Sequence, residues 1–293
     1  MMRHPLHFGH RKPRKKLSKV YILPNLFTAM NLLLGLLACY AVLSGDLQRA
    51  CWFVVLAGVL DGLDGAVARL THTESDFGVE FDSLSDLVSF GIAPSFIAFA
   101  LMRNIGEEHD RLVTGVCAIF SICAALRLAR YNVQHHGSER SGFEGLPSPG
   151  AALALIFSVL LIIEYGLMKS ELVLLPLGKS SLTMGKLVTT SLPFIVLFMA
   201  LLMVSRVPYL KVTKHIHISR RMSFESLVSI ILIAGLVMAA QSDMRVLFGF
   251  GLFATYLIHG LIRFAFQMAR PSHSENNEEE MDEDKESDQP YSA

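Results

Sequence analysis

Apolar runs of about 20 residues recur along this chain, the length an α-helix needs to cross a hydrocarbon core about 30 Å thick. Inside lipid every backbone N–H and C=O must be paired within the chain, so such segments are confined to helices. The sequence therefore predicts an all-α polytopic membrane protein. Eight spans can be drawn, at roughly 23–44, 48–69, 80–102, 112–132, 149–168, 187–205, 224–241 and 245–268. Composition agrees, with 52% of residues hydrophobic and 18% charged, against about 25% charged in soluble domains. No internal repeat is evident, which weighs against an inverted-repeat transporter.

Orientation follows from charge. With both termini cytoplasmic, nineteen of the 26 Lys and Arg residues fall on the cytoplasmic side of these spans and seven on the other. That is the bias expected of a membrane protein. A neutral formal net charge hides two opposite ends. Residues 1–20 carry seven basic side chains and no acid, whereas residues 274–293 carry nine acids against Lys285. Neither end can bury enough apolar area to offset the entropy of ordering, so both read as disordered tails. The first apolar run is followed by no small-residue cleavage site and reads as a retained helix. Cys39, Cys51, Cys117 and Cys123 all lie in apolar segments without ligand spacing and read as packing residues.

Against this background one stretch stands out, DGLDGAVARLTHTESDFGVEFDSLSD from Asp61 to Asp86. It occupies the cytoplasmic ends of the second and third spans and their short connection. Asp61, Asp64, Gly65 and Ala68 fall at i, i+3, i+4 and i+7, one stripe of a helix. Gly78, Asp82, Ser85, Asp86 and Ser89 form a second stripe on the next helix. Packed antiparallel, the two faces bring four carboxylates together beside an open space left by small residues. Four carboxylates this close repel, and Arg69 balances one of them. A divalent ion held by oxygen ligands is the natural remedy, Mg²⁺ or Mn²⁺ in preference to zinc. Such ions bridge phosphates, so a pyrophosphate-containing substrate fits the cavity. The bland alternative is a helical hairpin with solvated charged ends, which rarely places every acid on a Gly/Ala-lined stripe.

The pattern D-x-x-D-G-x-x-A-R-x8-G-x-x-x-D-x-x-x-D is met by Asp61, Asp64, Gly65, Ala68, Arg69, Gly78, Asp82 and Asp86. It resembles the signature of the CDP-alcohol phosphatidyltransferases. The resemblance implies that a CDP-linked donor passes a phosphatidyl-type group to an alcohol and releases CMP. It further implies that Asp61, Asp64, Asp82 and Asp86 bind the metals and that Asp86 is the general base. Asp61, Asp64, Gly65, Ala68, Arg69 and Gly78 would form the CDP-donor site. The stretches ILPNLFTAMNLLLGLLA, DLVSFGIAPSF, RLARYNV and FEGLPSPGAA are similar to those of family members that use L-serine. CDP-diacylglycerol and L-serine are then the expected substrates and phosphatidylserine the product. Glycerol 3-phosphate, inositol phosphate and choline are alternative acceptors with the same chemistry.

Candidate acceptor or phosphate ligands are Ser89, Arg127, Arg130 and Asn132. The paired arginines, i and i+3 at a cytoplasmic helix end, suit a carboxylate or a phosphate, although positive-inside topology alone also calls for charge there. Ser89, Gly91 and Pro94 read equally as small-residue packing with a kink. Pro147 and Pro149 are expected to begin the fifth helix. His135, His136, His215 and His217 read as an interfacial face, not a metal site. The expected domains are a basic tail over 1–20, a catalytic unit of six spans over 21–206, a loop and two further helices over 207–270, and an acidic tail over 271–293. The resemblance implies a bacterial cytoplasmic (inner) membrane with the site on the cytoplasmic side, contact with membrane lipid, no nucleic-acid partner, and room for a homodimer. A transporter would place its acids near mid-bilayer on broken helices, and an inactive paralogue would lack part of the motif.

Overall fold

The computed structural model of the chain describes residues 22–71, 76–103, 110–136, 145–167, 173–177, 180–205, 207 and 242–269. The expected basic and acidic tails and the expected seventh span (224–241) lie outside the described residues. The described chain is helical apart from one short antiparallel hairpin, β1 (Val173–Leu177) and β2 (Ser180–Thr183). Four segments are long and apolar enough to cross a membrane: Asn25–Leu43, Phe77–Arg103, Arg111–Val133 and Met244–Phe266. Ser148–Glu164 and Thr190–Val204 are apolar but shorter.

α1 (Ile22–Leu43) and α2 (Leu47–Thr71) form a tight helical hairpin. Gly45 supplies the turn with φ +82°, a conformation that side chains with a Cβ rarely adopt. Asp46 caps α2 by accepting a hydrogen bond from the Arg49 N–H at 2.9 Å. Small side chains, including Ala38, Ala41, Ala50, Cys51 and Ala57, are buried in this part of the core. α2 is long enough to span, but Arg49, Asp61, Asp64 and Arg69 lower its hydropathy.

The third expected span is one continuous rod of three parts: α3 (Asp76–Asp86), a π-turn (Leu87–Ile92) and α4 (Ala93–Arg103). Pro94 has no N–H to give and its ring crowds the preceding turn, so the ladder widens before it. The Ala93 N–H reaches Val88 O accordingly. Hydroxyls serve the carbonyls of this irregular turn. Ser121 donates to Gly91 O at 3.2 Å and Ser95 donates to Ile92 O at 2.8 Å. Regular helical stripes do not foresee this departure.

α5 (Asp110–His136) packs against that rod and against α7 (Met184–Val204). α6 (Ser148–Glu164) begins directly after Pro147 with Pro149 in its first turn, as expected. Ala151, Ala152, Leu155, Ile156 and Val159 of α6 are fully buried, the mark of a helix enclosed by its neighbours. Just before it, Gly145 (φ +90°) donates its N–H to Val207 O at 2.9 Å, tying this segment to the end of α7. α8 (Ser242–Ala269) closes against α6 where Gly249 meets the Phe157 ring, and Phe157 stacks on Phe253 at 5.7 Å. The four cysteines are unpaired, with Cys51, Cys117 and Cys123 buried.

Candidate active site

The two acidic stripes meet as their spacing requires. Asp61 and Asp64 come from α2, one helical turn apart, and Asp82 and Asp86 from α3. Asp61, Asp64 and Asp82 each offer a carboxylate oxygen, and the three atoms lie within 4.8 Å of one another. Asp86 stands outside that group, its carboxyl adjoining that of Asp61. The motif thus divides into a cluster of three and a fourth carboxylate beside it.

The surroundings are mostly buried. Asp64 and Asp86 keep 6% and 8% of their exposure, so solvent does little to screen their mutual repulsion. One oxygen of Asp82, Oδ1, is buried and has no hydrogen-bond partner among the described residues. A buried acceptor left without a donor costs about 1–3 kcal/mol, and an ion shared with Asp61 and Asp64 removes that cost. The donor set fits the ion that the motif implies. All three groups are hard carboxylate oxygens, and the ligands of an octahedral Mg²⁺ lie about 3–4 Å apart.

α1 completes the wall, which the spacing of acids did not foretell. Thr28 donates from Oγ1 to Asp64 Oδ2 at 3.1 Å, and Asn31 donates from Nδ2 to Asp86 Oδ1 at 3.3 Å. Two serines of the rod formed by α3, the π-turn and α4 bind back to the same two residues. Ser85 donates to Thr28 O at 3.0 Å, and Ser89 donates to Asn31 O at 2.9 Å. The sequence did hold a signal, since Thr28 and Asn31 are polar, i and i+3, inside an otherwise apolar span.

The remaining expected site residues separate by position. Gly65 and Gly78 lie on α2 and α3 beside the acids, whereas the side chains of Ala68 and Arg69 lie outside the described ones. Arg127 on α5 is largely withdrawn from solvent, donates to Ser148 Oγ at 2.7 Å, and lies within electrostatic reach of Asp86 and Asp61. Arg130 is exposed and donates to Val204 O at 3.3 Å. Asn132 exchanges hydrogen bonds with Ser83 and donates to Glu80 at 3.4 Å. Of these candidates, Arg127 is the one drawn toward the acids, and Ser89 is occupied with α1. The side chains of His135 and His136, and all of His215 and His217, lie outside the described residues.

Comparison with known proteins identifies the family. The model of the CDP-alcohol phosphatidyltransferase family matches residues 21–177. A CDP-diacylglycerol–serine O-phosphatidyltransferase of Helicobacter pylori is 35% identical over 254 residues, covering 87% of this chain and 95% of that protein. The protein of that name from Methanocaldococcus jannaschii is 39% identical over 149 residues, 51% of this chain and 66% of its own length. The one from Bacillus subtilis is 35% identical over 135 residues, 46% of this chain and 73% of its own length.

Proposed function

The chain belongs to the CDP-alcohol phosphatidyltransferase family, and from that premise we propose that it transfers the phosphatidyl group of CDP-diacylglycerol to L-serine, giving phosphatidylserine and CMP. The geometry that carries the chemistry is the three-carboxylate cluster with Asp82 Oδ1 buried and unpartnered, next to a fourth carboxylate, that of Asp86, outside it. Serine as the acceptor is supported by the names of relatives aligned along nearly their whole length.

Asp61, Asp64 and Asp82 would hold the divalent ion, Mg²⁺ or Mn²⁺. When bound, it supplies charge neutralisation at the donor's pyrophosphate and at the departing CMP. Asp86, not needed for the cluster, takes the proton from the serine hydroxyl as that oxygen bonds to the lipid-linked phosphorus. The bond from that phosphorus to the oxygen of CMP breaks in the same displacement, and CMP leaves with its electron pair. A positioned base of this kind contributes about 10²–10⁴-fold. Arg127 offers its guanidinium to the acceptor carboxylate or a donor phosphate. By the motif, Gly65, Ala68 and Gly78 would leave room for the nucleotide, and Arg69 would help to hold the donor. The reading places the site at the cytoplasmic face of a bacterial inner membrane, within the 21–206 unit.

The test is turnover by protein purified in detergent with CDP-diacylglycerol, Mn²⁺ or Mg²⁺, and labelled L-serine. Label should enter lipid with equimolar CMP release, and Asp86→Asn should lower the rate by about 10²–10⁴-fold. A chelator should abolish turnover. CMP release only with another alcohol would replace the acceptor while keeping the mechanism. Absence of turnover with every alcohol, in folded protein, would sink the reading.

A further inference from the structure

The geometry points to Thr28 and Asn31 of α1 as positioning residues that divide their work between the two carboxylate roles. Thr28 sets the Asp64 carboxylate for the metal, and Asn31 sets the Asp86 carboxylate for the acceptor hydroxyl. This rests on the reading of the three-carboxylate cluster as the metal site.

Each bond has a defined direction. A carboxylate only accepts, so Asn31 must present its NH₂ to Asp86, and the amide oxygen is left facing elsewhere. That oxygen is buried and has no hydrogen-bond partner among the described residues. In a fully buried position an apolar side chain would avoid that cost. Stability alone therefore does not account for an amide here, whereas aim at Asp86 does. Thr28 is likewise almost wholly buried, at 4% exposure, and its hydroxyl reaches Asp64 Oδ2. Fixing one oxygen of a ligating carboxylate holds the other in place for an ion, as outer hydrogen bonds do around metal sites generally.

The backbone beneath these side chains is fixed by the same partners. Ser85 and Ser89 hold the carbonyls of Thr28 and Asn31, so each residue is gripped at its main chain while its side chain grips an aspartate. One turn further along, Gly35 lets α1 touch the rod. A Cβ there would lie 2.9 Å from Ser89 Cα and 3.1 Å from Ser89 N, both backbone atoms that cannot swing aside. α1 is thus set against the rod at a fixed distance, and its two polar side chains cannot drift relative to Asp64 and Asp86.

The experiment measures Mn²⁺ binding from the electron paramagnetic resonance signal of the free ion, and separately the steady-state constants for CMP release, on full-length protein. Thr28→Val should weaken Mn²⁺ binding about 10-fold, with kcat at saturating Mn²⁺ within about 3-fold of wild type, and Thr28→Ser should restore binding. Asn31→Leu should leave Mn²⁺ binding within about 2-fold while kcat falls about 10-fold or more, with little change in KM for either substrate. Loss of packing alone would move both quantities together in both variants. That result, or wild-type behaviour in both, would overturn the assignment. Wild-type protein that binds no Mn²⁺ and releases no CMP would instead overturn the metal-site reading, and this inference with it.

Discussion

At the scale of single residues, the site is a balance between carboxylates that repel and donors that hold them. Asp82→Asn removes a charge from the three-carboxylate cluster, and Mn²⁺ affinity measured on the purified protein should fall by at least about 10-fold. Gly35→Ala tests the contact that sets α1 against the rod. Its Cβ would meet Ser89 Cα at 2.9 Å and Ser89 Oγ at 2.5 Å, and overpacking of this kind costs about 1–3 kcal/mol. Thermal unfolding in detergent should show the loss, and turnover should fall because Thr28 and Asn31 move with the helix. The aspartates were legible in the sequence because ligands drawn from two adjacent helices keep fixed spacings within 26 residues. Thr28 and Asn31 showed only as polar interruptions of an apolar span, and their roles did not, because their partners lie 36 and 55 positions away. No periodicity connects residues that far apart. A hydropathy reading also treats two polar side chains in an apolar span as tolerated exceptions. Only the packed structure shows what they touch.

At the scale of elements, helix positions followed the apolar runs closely while helix details did not. Seven of the eight expected spans coincide with described helical segments, because the length of an apolar run and the length of a helix answer to the same requirement. The π-turn after Asp86 escaped notice, since a stripe argument assumes 3.6 residues per turn throughout, and Pro94 breaks that assumption. The fifth helix ends at Glu164, a few residues before the apolar run does, with Gly166 at φ +56° in the turn that follows. The β1–β2 hairpin lies beyond it in a stretch where no element was expected. α8 offers a paired test of packing. At Gly249 a Cβ would fall on the Phe157 ring, whereas at Gly251 it would meet nothing within 4 Å. Gly249→Ala should destabilise the contact with α6 by about 1–3 kcal/mol. Gly251→Ala should be neutral or stabilising by up to about 1 kcal/mol, as for any helix interior. Thermal unfolding of the two variants side by side separates helix propensity from helix contact.

At the scale of the whole molecule, the proposed arrangement has both ends of the chain in the cytoplasm. A green fluorescent protein fused to either end should fluoresce, and alkaline phosphatase fused to the C-terminus should stay inactive. The opposite result at one end would require an odd number of spans. The bundle also has an order of manufacture. Ser85 follows Thr28 by 57 residues, so at about 5–20 residues per second α1 waits roughly 3 to 11 seconds for the rod that holds it. For part of that interval Asp64 can already be present while Asp82 is not, and Asp86 and both clamping serines come only at its end or after it. A nascent chain interrupted before its third span therefore carries Asp61 and Asp64 of the cluster without Asp82 and Asp86. The four-carboxylate centre cannot be complete until the third span has been made.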